Sequence, residues 1–169
     1  LRSLEKRNRL RCRKRAYCTV LTLSRIELYT CSHEGRMNIL VVEDDAASRK
    51  LLERFLAPYG TCTPAQDGAA ALHLFTESLE KEERFDLICL DIMLPDMDGQ
   101  IVLEHIRREE QARGIPEADR IPVFFTSGLD RPAYEEDEEL RKRRIAYLVK
   151  PIERARLRTL LMEFGLFRE

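Results

Sequence analysis

Phe85-Asp86-Leu87-Ile88-Cys89-Leu90-Asp91-Ile92-Met93-Leu94-Pro95-Asp96-Met97-Asp98-Gly99 is the stretch on which the fold turns. Its first six residues read as a buried strand, since a short apolar run bounded by turn residues marks a strand covered on both faces. Asp91 stands at the carboxyl end of that strand, and a loop punctuated by Pro95 and Gly99 opens behind it. Open α/β sheets bind ligands in the crevice beyond the carboxyl ends of their strands, so a carboxylate here is placed for chemistry.

On either side, from Met37 onward, short apolar runs alternate with amphipathic stretches, the pattern of βα units around a parallel sheet. Five strands are expected: Asn38 to Val42, a weak one near Thr61 to Thr63, Leu87 to Leu90, Pro122 to Phe125, and Tyr147 to Val149. Pro64 restricts the second to an edge or a short strand. Helical spacing relates Leu51, Leu52, Phe55 and Leu56, then Leu72, Phe75 and Leu79, then Leu157, Leu160, Leu161 and Phe164, and all are expected to face the core. Val102 and Ile106 mark a third helix facing inward, followed by a polar loop from Gln111 to Asp119. Tyr134 to Arg144 is acidic in its first half and basic in its second, an order that complements a helix macrodipole. With few apolar anchors it is expected to be the most exposed helix.

The 169 residues suit one domain. Charge is nearly balanced over the whole chain, yet residues 1–36 hold 10 basic and 3 acidic residues and carry +7, which leaves −8 for the rest. That segment fits no periodic template, and Met37 stands immediately before the first strand. Residues 1–36 are therefore expected to be a basic extension outside the fold, disordered or foreign to the native protein, and residues 37–169 the folded domain. A basic arm for nucleic acid or anionic lipid is the competing reading. No apolar run approaches the ~18 residues of a membrane span, and no secretory signal is evident, so a cytoplasmic protein is expected.

Five cysteines, an odd number, imply no disulfide framework, and Cys62 and Cys89 belong to strand patterns. Cys12, Cys18, Cys31 and His33 lack the short Cys-x-x-Cys spacing of a structural zinc site. His73 and His105 fall within helix patterns, away from strand ends, and read as packing or surface residues.

Chemistry gathers instead at the strand ends. The first strand runs into Glu43-Asp44-Asp45, three like charges that repel one another unless a cation is near. Asp45 can cap the helix beginning at Ala46, which accounts for one of the three. If the first and third strands are neighbours, Glu43 and Asp44 converge on Asp91, and such an all-oxygen set favours a hard cation such as Mg²⁺. Thr126 and Ser127 follow the fourth strand and Lys150-Pro151 the fifth, so a hydroxyl and an ammonium share the same edge. These are the groups a transferring phosphoryl needs on its equatorial oxygens.

In that order, Ile39 to Asp45, Asp91 to Gly99, Phe125-Thr126-Ser127 and Val149-Lys150-Pro151 resemble the motifs of the response-regulator receiver domain of two-component signalling, over about Met37 to Phe164. The resemblance implies a flavodoxin-like, doubly wound, five-stranded parallel sheet in the order 2-1-3-4-5 with helices on both faces. It implies that Asp91 accepts a phosphoryl group, forming an aspartyl phosphate. Glu43, Asp44, Asp91 and the main-chain carbonyl of Met93 would hold Mg²⁺. Lys150 would pair with Asp91 or its phosphoryl group, Thr126 would bond the phosphoryl oxygen, Tyr147 would be the aromatic switch, and the Lys150–Pro151 bond would be cis. The implied partners are a sensor histidine kinase or a histidine phosphotransfer protein, a downstream target, and a second copy bound through the fourth helix, fifth strand and fifth helix. Neither membrane nor nucleic acid is an expected partner.

Because the chain stops soon after the fifth helix, a stand-alone receiver is expected, acting as a diffusible effector or as a phosphorelay intermediate that passes its phosphoryl group on. It would be no enzyme beyond catalysing its own phosphorylation and dephosphorylation. A phosphohydrolase of the haloacid dehalogenase type also uses an Asp nucleophile with Mg²⁺, but it needs a second Asp two residues on, where this chain has Met93. A transcription factor would need a recognition helix, and none follows Pro151. Glu43 stands where many receivers carry Asp, and Gly128 offers no side chain to block water from the phosphoryl group.

Overall fold

The structure is a computed structural model that describes residues 36–81, 83–128 and 138–167. The chain divides into two units, Leu1–Arg36 and Met37–Glu169, and the second carries every element described below. The zinc reading of Cys12, Cys18, Cys31 and His33 lies outside the described residues.

Strand β1 (Met37–Val42) leads into α1 (Ala46–Leu56), followed by β2 (Gly60–Ala65), α2 (Gly68–Glu80), β3 (Leu87–Asp91) and α3 (Gly99–Ala112). A 3₁₀ turn (Glu117–Asp119) precedes β4 (Val123–Ser127), α4 (Glu138–Lys142), β5 (Ile145–Val149) and α5 (Arg154–Glu163). The strands form one parallel sheet in the order β2-β1-β3-β4-β5. This is the doubly wound topology expected, with its strand order reversing beside β1 and β3, where open α/β sheets place their ligands.

Alternation along each strand divides the core in two. On one face Leu40, Val42, Ile88, Leu90, Val123 and Phe125 pack with Ala71 and Phe75 of α2 and Val102 and Ile106 of α3. On the other, Ile39, Val41, Leu87, Cys89, Phe124 and Leu148 pack with Leu52 and Leu56 of α1 and Leu157, Leu160 and Leu161 of α5. Buried on both sides, the central strands have no polar face, which is why they read as unbroken apolar runs.

Three local expectations are corrected. Leu51 is 45% exposed, because neighbouring helical positions lie about 100° apart and the inward stripe of α1 is already filled by Leu52 and Leu56. Strand β2 is longer than Thr61 to Thr63 and runs through Pro64; at a sheet edge alternate N–H groups face away, so a missing donor there breaks no ladder bond. The polar loop begins later than Gln111, since α3 continues to Ala112 and ends where Gly114 adopts φ +67 and the Ile115 N–H donates to the Glu110 carbonyl. That bond and that left-handed glycine form a Schellman cap.

Glu110 extends the inward stripe of Val102 and Ile106 with a carboxylate that is only 2% exposed. Its Oε1 accepts from the Ile121 N–H (2.6 Å) and its Oε2 from Arg107 (2.7 Å), whose guanidinium also donates to the carbonyls of Ile121 and Arg143. This pair ties α3 to the entry of β4 and to the turn before β5. Glu110→Ala is expected to cost about 3 kcal/mol, since it leaves the buried Ile121 N–H without its acceptor and strips the half-buried Arg107 of its counter-charge. Urea unfolding measures this, and Glu110→Gln, which keeps an acceptor, is expected to cost clearly less.

No side chain of α4 is fully buried, and Leu140 is its contact with the core. The expected exposure holds over Glu138–Lys142, while residues 134–137 of the charged stretch lie outside the described residues. Among the described residues no helix is long and apolar enough to cross a membrane.

Candidate functional site

Register assembles the site before any side chain is considered. Val42 of β1 pairs with Leu90 of β3, which sets Glu43 level with Asp91. Asp91 pairs with Thr126 of β4, and Ser127 pairs with Val149 of β5, one residue before Lys150. The Lys150 N–H donates to the Ser127 carbonyl (2.7 Å), and the Lys150–Pro151 peptide is cis. Parallel strands of matched length thus deliver two carboxylates, a hydroxyl and an ammonium to one edge.

Glu43 and Asp91 are buried, at 2% and 5% exposure, while Asp44 faces solvent. One oxygen from each of the three carboxylates lies within 4.8 Å of the others. Asp45 is not among them: its side chain caps α1, accepting from the Ser48 N–H at 2.7 Å. Lys150 Nζ donates to Asp91 Oδ2 (2.7 Å) and sits 3.0 and 2.8 Å from the two oxygens of Glu43. Burial, with a lesser push from Asp91, holds the Glu43 carboxyl above the ordinary carboxylate range against the pull of Lys150. Burial works against the Lys150 ammonium too, but its bonds to Asp91 and Glu43 outweigh that and raise its pKa.

Asp91 Oδ1 accepts from the Met93 N–H at 3.1 Å. The Met93 side chain is 73% exposed, so this residue serves the site through its backbone. Thr126 is 1% exposed and its Oγ1 has no hydrogen-bond partner. A buried hydroxyl without a partner is costly, and this one belongs to the residue paired in register with Asp91. Tyr147 is half-buried and stacks on Phe125, with ring centroids 5.3 Å apart and planes 27° from parallel. Gly128 is exposed, and among the described residues nothing lies within 4 Å of where a Cβ would stand. His73 and His105 are exposed on α2 and α3.

A hard divalent cation suits this donor set, since all three side-chain ligands are oxygens and one of them is open to solvent. Further contacts hold the edge, and no local sequence pattern announces them. Arg49 of α1 donates from Nη1 to the carbonyls of Glu43 (2.7 Å) and Asp44 (3.3 Å), gripping the loop that bears both acids. Gly99 passes so close beneath Asp91 that a Cβ on it would lie 2.2 Å from the Asp91 carbonyl oxygen. Lys150 engages Glu43 as fully as Asp91, because the extra methylene of Glu over Asp lets that carboxylate reach the ammonium.

Residues 39–162 match the family model of the response regulator receiver domain. Among curated proteins, "Histidine kinase CKI1" of Arabidopsis thaliana is 32% identical over 124 residues, 68% of this chain and 11% of that protein. "Probable transcriptional regulator ycf27" of Guillardia theta is 32% identical over 97 residues, 57% of this chain and 33% of that protein. The chain therefore spans a third or less of the length of these relatives. Among solved structures, the receiver domain of Arabidopsis thaliana CKI1 complexed with Mg²⁺ and BeF₃⁻ superposes with a TM-score of 0.59 at 27% identity, covering 76% of this chain and 89% of that one. A match that runs from the first strand into the last helix, on the same sheet order, settles ancestry: the chain belongs to the response regulator receiver domains of two-component signalling.

Proposed function

We propose that Asp91 accepts a phosphoryl group from the phosphohistidine of a sensor histidine kinase or a histidine phosphotransfer protein, and that the aspartyl phosphate signals by altering the surface around α4, β5 and α5. The observation that carries this is the unpartnered, buried Thr126 hydroxyl paired in register with an Asp91 carboxylate already bonded to Lys150. An Asp91 oxygen forms the bond to phosphorus as the donor's P–N bond breaks, and the departing imidazole takes up a proton. Lys150 and Thr126 then share the phosphoryl oxygens, the ammonium offsetting charge and the hydroxyl donating.

Glu43, Asp44 and Asp91, with the main-chain carbonyl of Met93, would hold Mg²⁺. When bound, the ion neutralises charge on the phosphoryl oxygens. Drawing Thr126 toward the phosphoryl group leaves space that Tyr147 fills by turning inward along its stack with Phe125. Helix α4, held by Leu140 and by an ion pair of Arg141 with Glu163 of α5 (3.2 Å), is the element most easily moved. That face would then meet a downstream target or a second copy of the chain. Turnover of outside substrates is not part of this reading, because the position an acid–base Asp would need is Met93. Residues 1–36 stand outside the receiver fold in this reading, and the protein works in the cytoplasm.

The test is incubation with Mg²⁺ and acetyl phosphate. The expected product is a single acid-stable, base-labile phosphate on the peptide containing Asp91. Absence of that phosphate, or its recovery on another peptide, would overturn the reading.

A further inference from the structure

The loop from Ile92 to Gly99 is closed at its base by the Gly99 N–H, which donates to the Ile92 carbonyl at 2.8 Å. Its tip is held from elsewhere. Asp96 Oδ1 accepts from the Gly68 N–H and Oδ2 from the Ala69 N–H, both at 2.9 Å. These are the first two amides of α2, and a helix leaves its first amides without partners of its own. The next one, Ala70, is taken by the helix's own cap, Asp67, at 2.6 Å. Asp96 therefore reaches across from another loop to complete a helix start that already has a cap. The hydrogen bond from the Gly68 N–H keeps the Asp96 carboxyl below its ordinary range, so it remains an anion, the form that accepts from two amides.

The same junction is packed as well as bonded. A Cβ on Gly68 would lie 2.5 Å from Cγ of Met97 and 2.8 Å from Cγ2 of Val102, so the start of α2 rests directly on the loop and on α3. Between base and tip stand Met93, Leu94 and Pro95. Leu94 is buried at 9% exposure, but the Met93 side chain is 73% exposed and cannot anchor its own backbone. Yet it is the Met93 backbone that touches Asp91, through the N–H to Oδ1.

The geometry points to Asp96 as a positioning residue that holds the Met93 main chain against Asp91 by fastening the tip of the loop to the first turn of α2. The Met93 N–H then meets Asp91 Oδ1 and its carbonyl is kept available to a cation; the second half of this statement rests on the metal-dependent phosphoacceptor reading given above. Asp96 is outside the cluster of Glu43, Asp44 and Asp91, and it acts through the backbone three residues away.

The test compares Asp96→Ala with Asp67→Ala. Both remove acceptors from the same helix start, but only the first cuts the link to the loop. In metal-free protein, Asp96→Ala is expected to speed amide exchange at Met93 about tenfold, while Asp67→Ala leaves that rate within a factor of about two. In Mg²⁺ titrations followed by amide chemical shifts, Asp96→Ala is expected to weaken binding about tenfold, as loss of an outer partner of a metal ligand does, and Asp67→Ala to leave it unchanged. Asp96→Asn, which keeps one acceptor oxygen, is expected to fall between Asp96→Ala and the wild type, and it serves as the variant to read if the alanine form does not fold. Equal effects of the Asp96 and Asp67 variants would reduce Asp96 to a structural cap, and an unchanged Met93 amide in Asp96→Ala would overturn the inference. Exchange is read without metal or phosphodonor. A wild type that takes up no phosphate would therefore sink the functional reading while the Met93 result still decides the role of Asp96.

Discussion

Asp91→Asn is expected to reduce phosphate incorporation from acetyl phosphate to background, a fall of about three orders of magnitude or more. The reason is chemical. Asparagine has nearly the volume of aspartate, so the packing around this buried side chain is retained. Its Oδ1 can still accept from the Met93 N–H. What is lost is the anionic oxygen, and a neutral amide is a poor nucleophile toward phosphorus. The substitution also relieves the repulsion between Asp91 and Glu43, which contributes to the raised pKa of Glu43, while weakening the bond from Lys150. These changes oppose each other, so the melting temperature is expected to stay within a few degrees of wild type. A folded Asp91→Asn protein that still gains a base-labile phosphate would place the acceptor elsewhere, Glu43 and Asp44 being the carboxylates alongside.

Much of this site was legible because a parallel sheet turns sequence position into spatial position. Each apolar run gives out at the end of its strand or within two residues of it, so Glu43, Asp91, Thr126 and Lys150 could be assigned to one edge from hydropathy alone. The strand order was not legible in that way, because periodicity says nothing about which strands are neighbours, and it came through motif resemblance. Other features escaped for physical reasons that can be named. Leu51 looks like core in a run of four apolar positions, and only the width of the buried stripe excludes it. Glu110 reads as one more surface charge until Arg107 and the Ile121 N–H are seen converging on it. The two hydrogen bonds that Asp96 accepts from α2 span 28 and 27 residues, and no local pattern carries such a pairing. Asp67, by contrast, caps its own helix, a local signal of the kind a sequence does display.

Lys150→Met is expected to destabilise the protein by about 3 kcal/mol near neutral pH and to slow phosphorylation by about a hundredfold or more. Lys150 is the cation bonded to both buried carboxylates, Glu43 and Asp91, and methionine fills much the same space with no charge. On the proposed phosphoacceptor role of Asp91, the lost rate follows from removing the ammonium that bonds its carboxylate. The lost stability carries a signature in pH. Burial already raises the Glu43 carboxyl above its ordinary 4.5, and Lys150 is what opposes that rise. Without the ammonium the folded-state pKa moves further up, so the folded variant keeps a proton that the unfolded chain has released. A group raised in this way contributes stability that is fully present below its unfolded pKa and is lost as pH climbs through its folded pKa. Urea unfolding should therefore find the variant much weaker than wild type at about pH 7.5, with the gap narrowing as the pH is lowered toward about 5. The wild type does not share this recovery in full, because its Lys150, with a raised pKa, stays charged throughout that range. A gap that stays constant with pH would show that Glu43 is not the group taking up the proton. A variant as stable as wild type at about pH 7.5 would mean that solvent, and not Lys150, compensates the buried carboxylates.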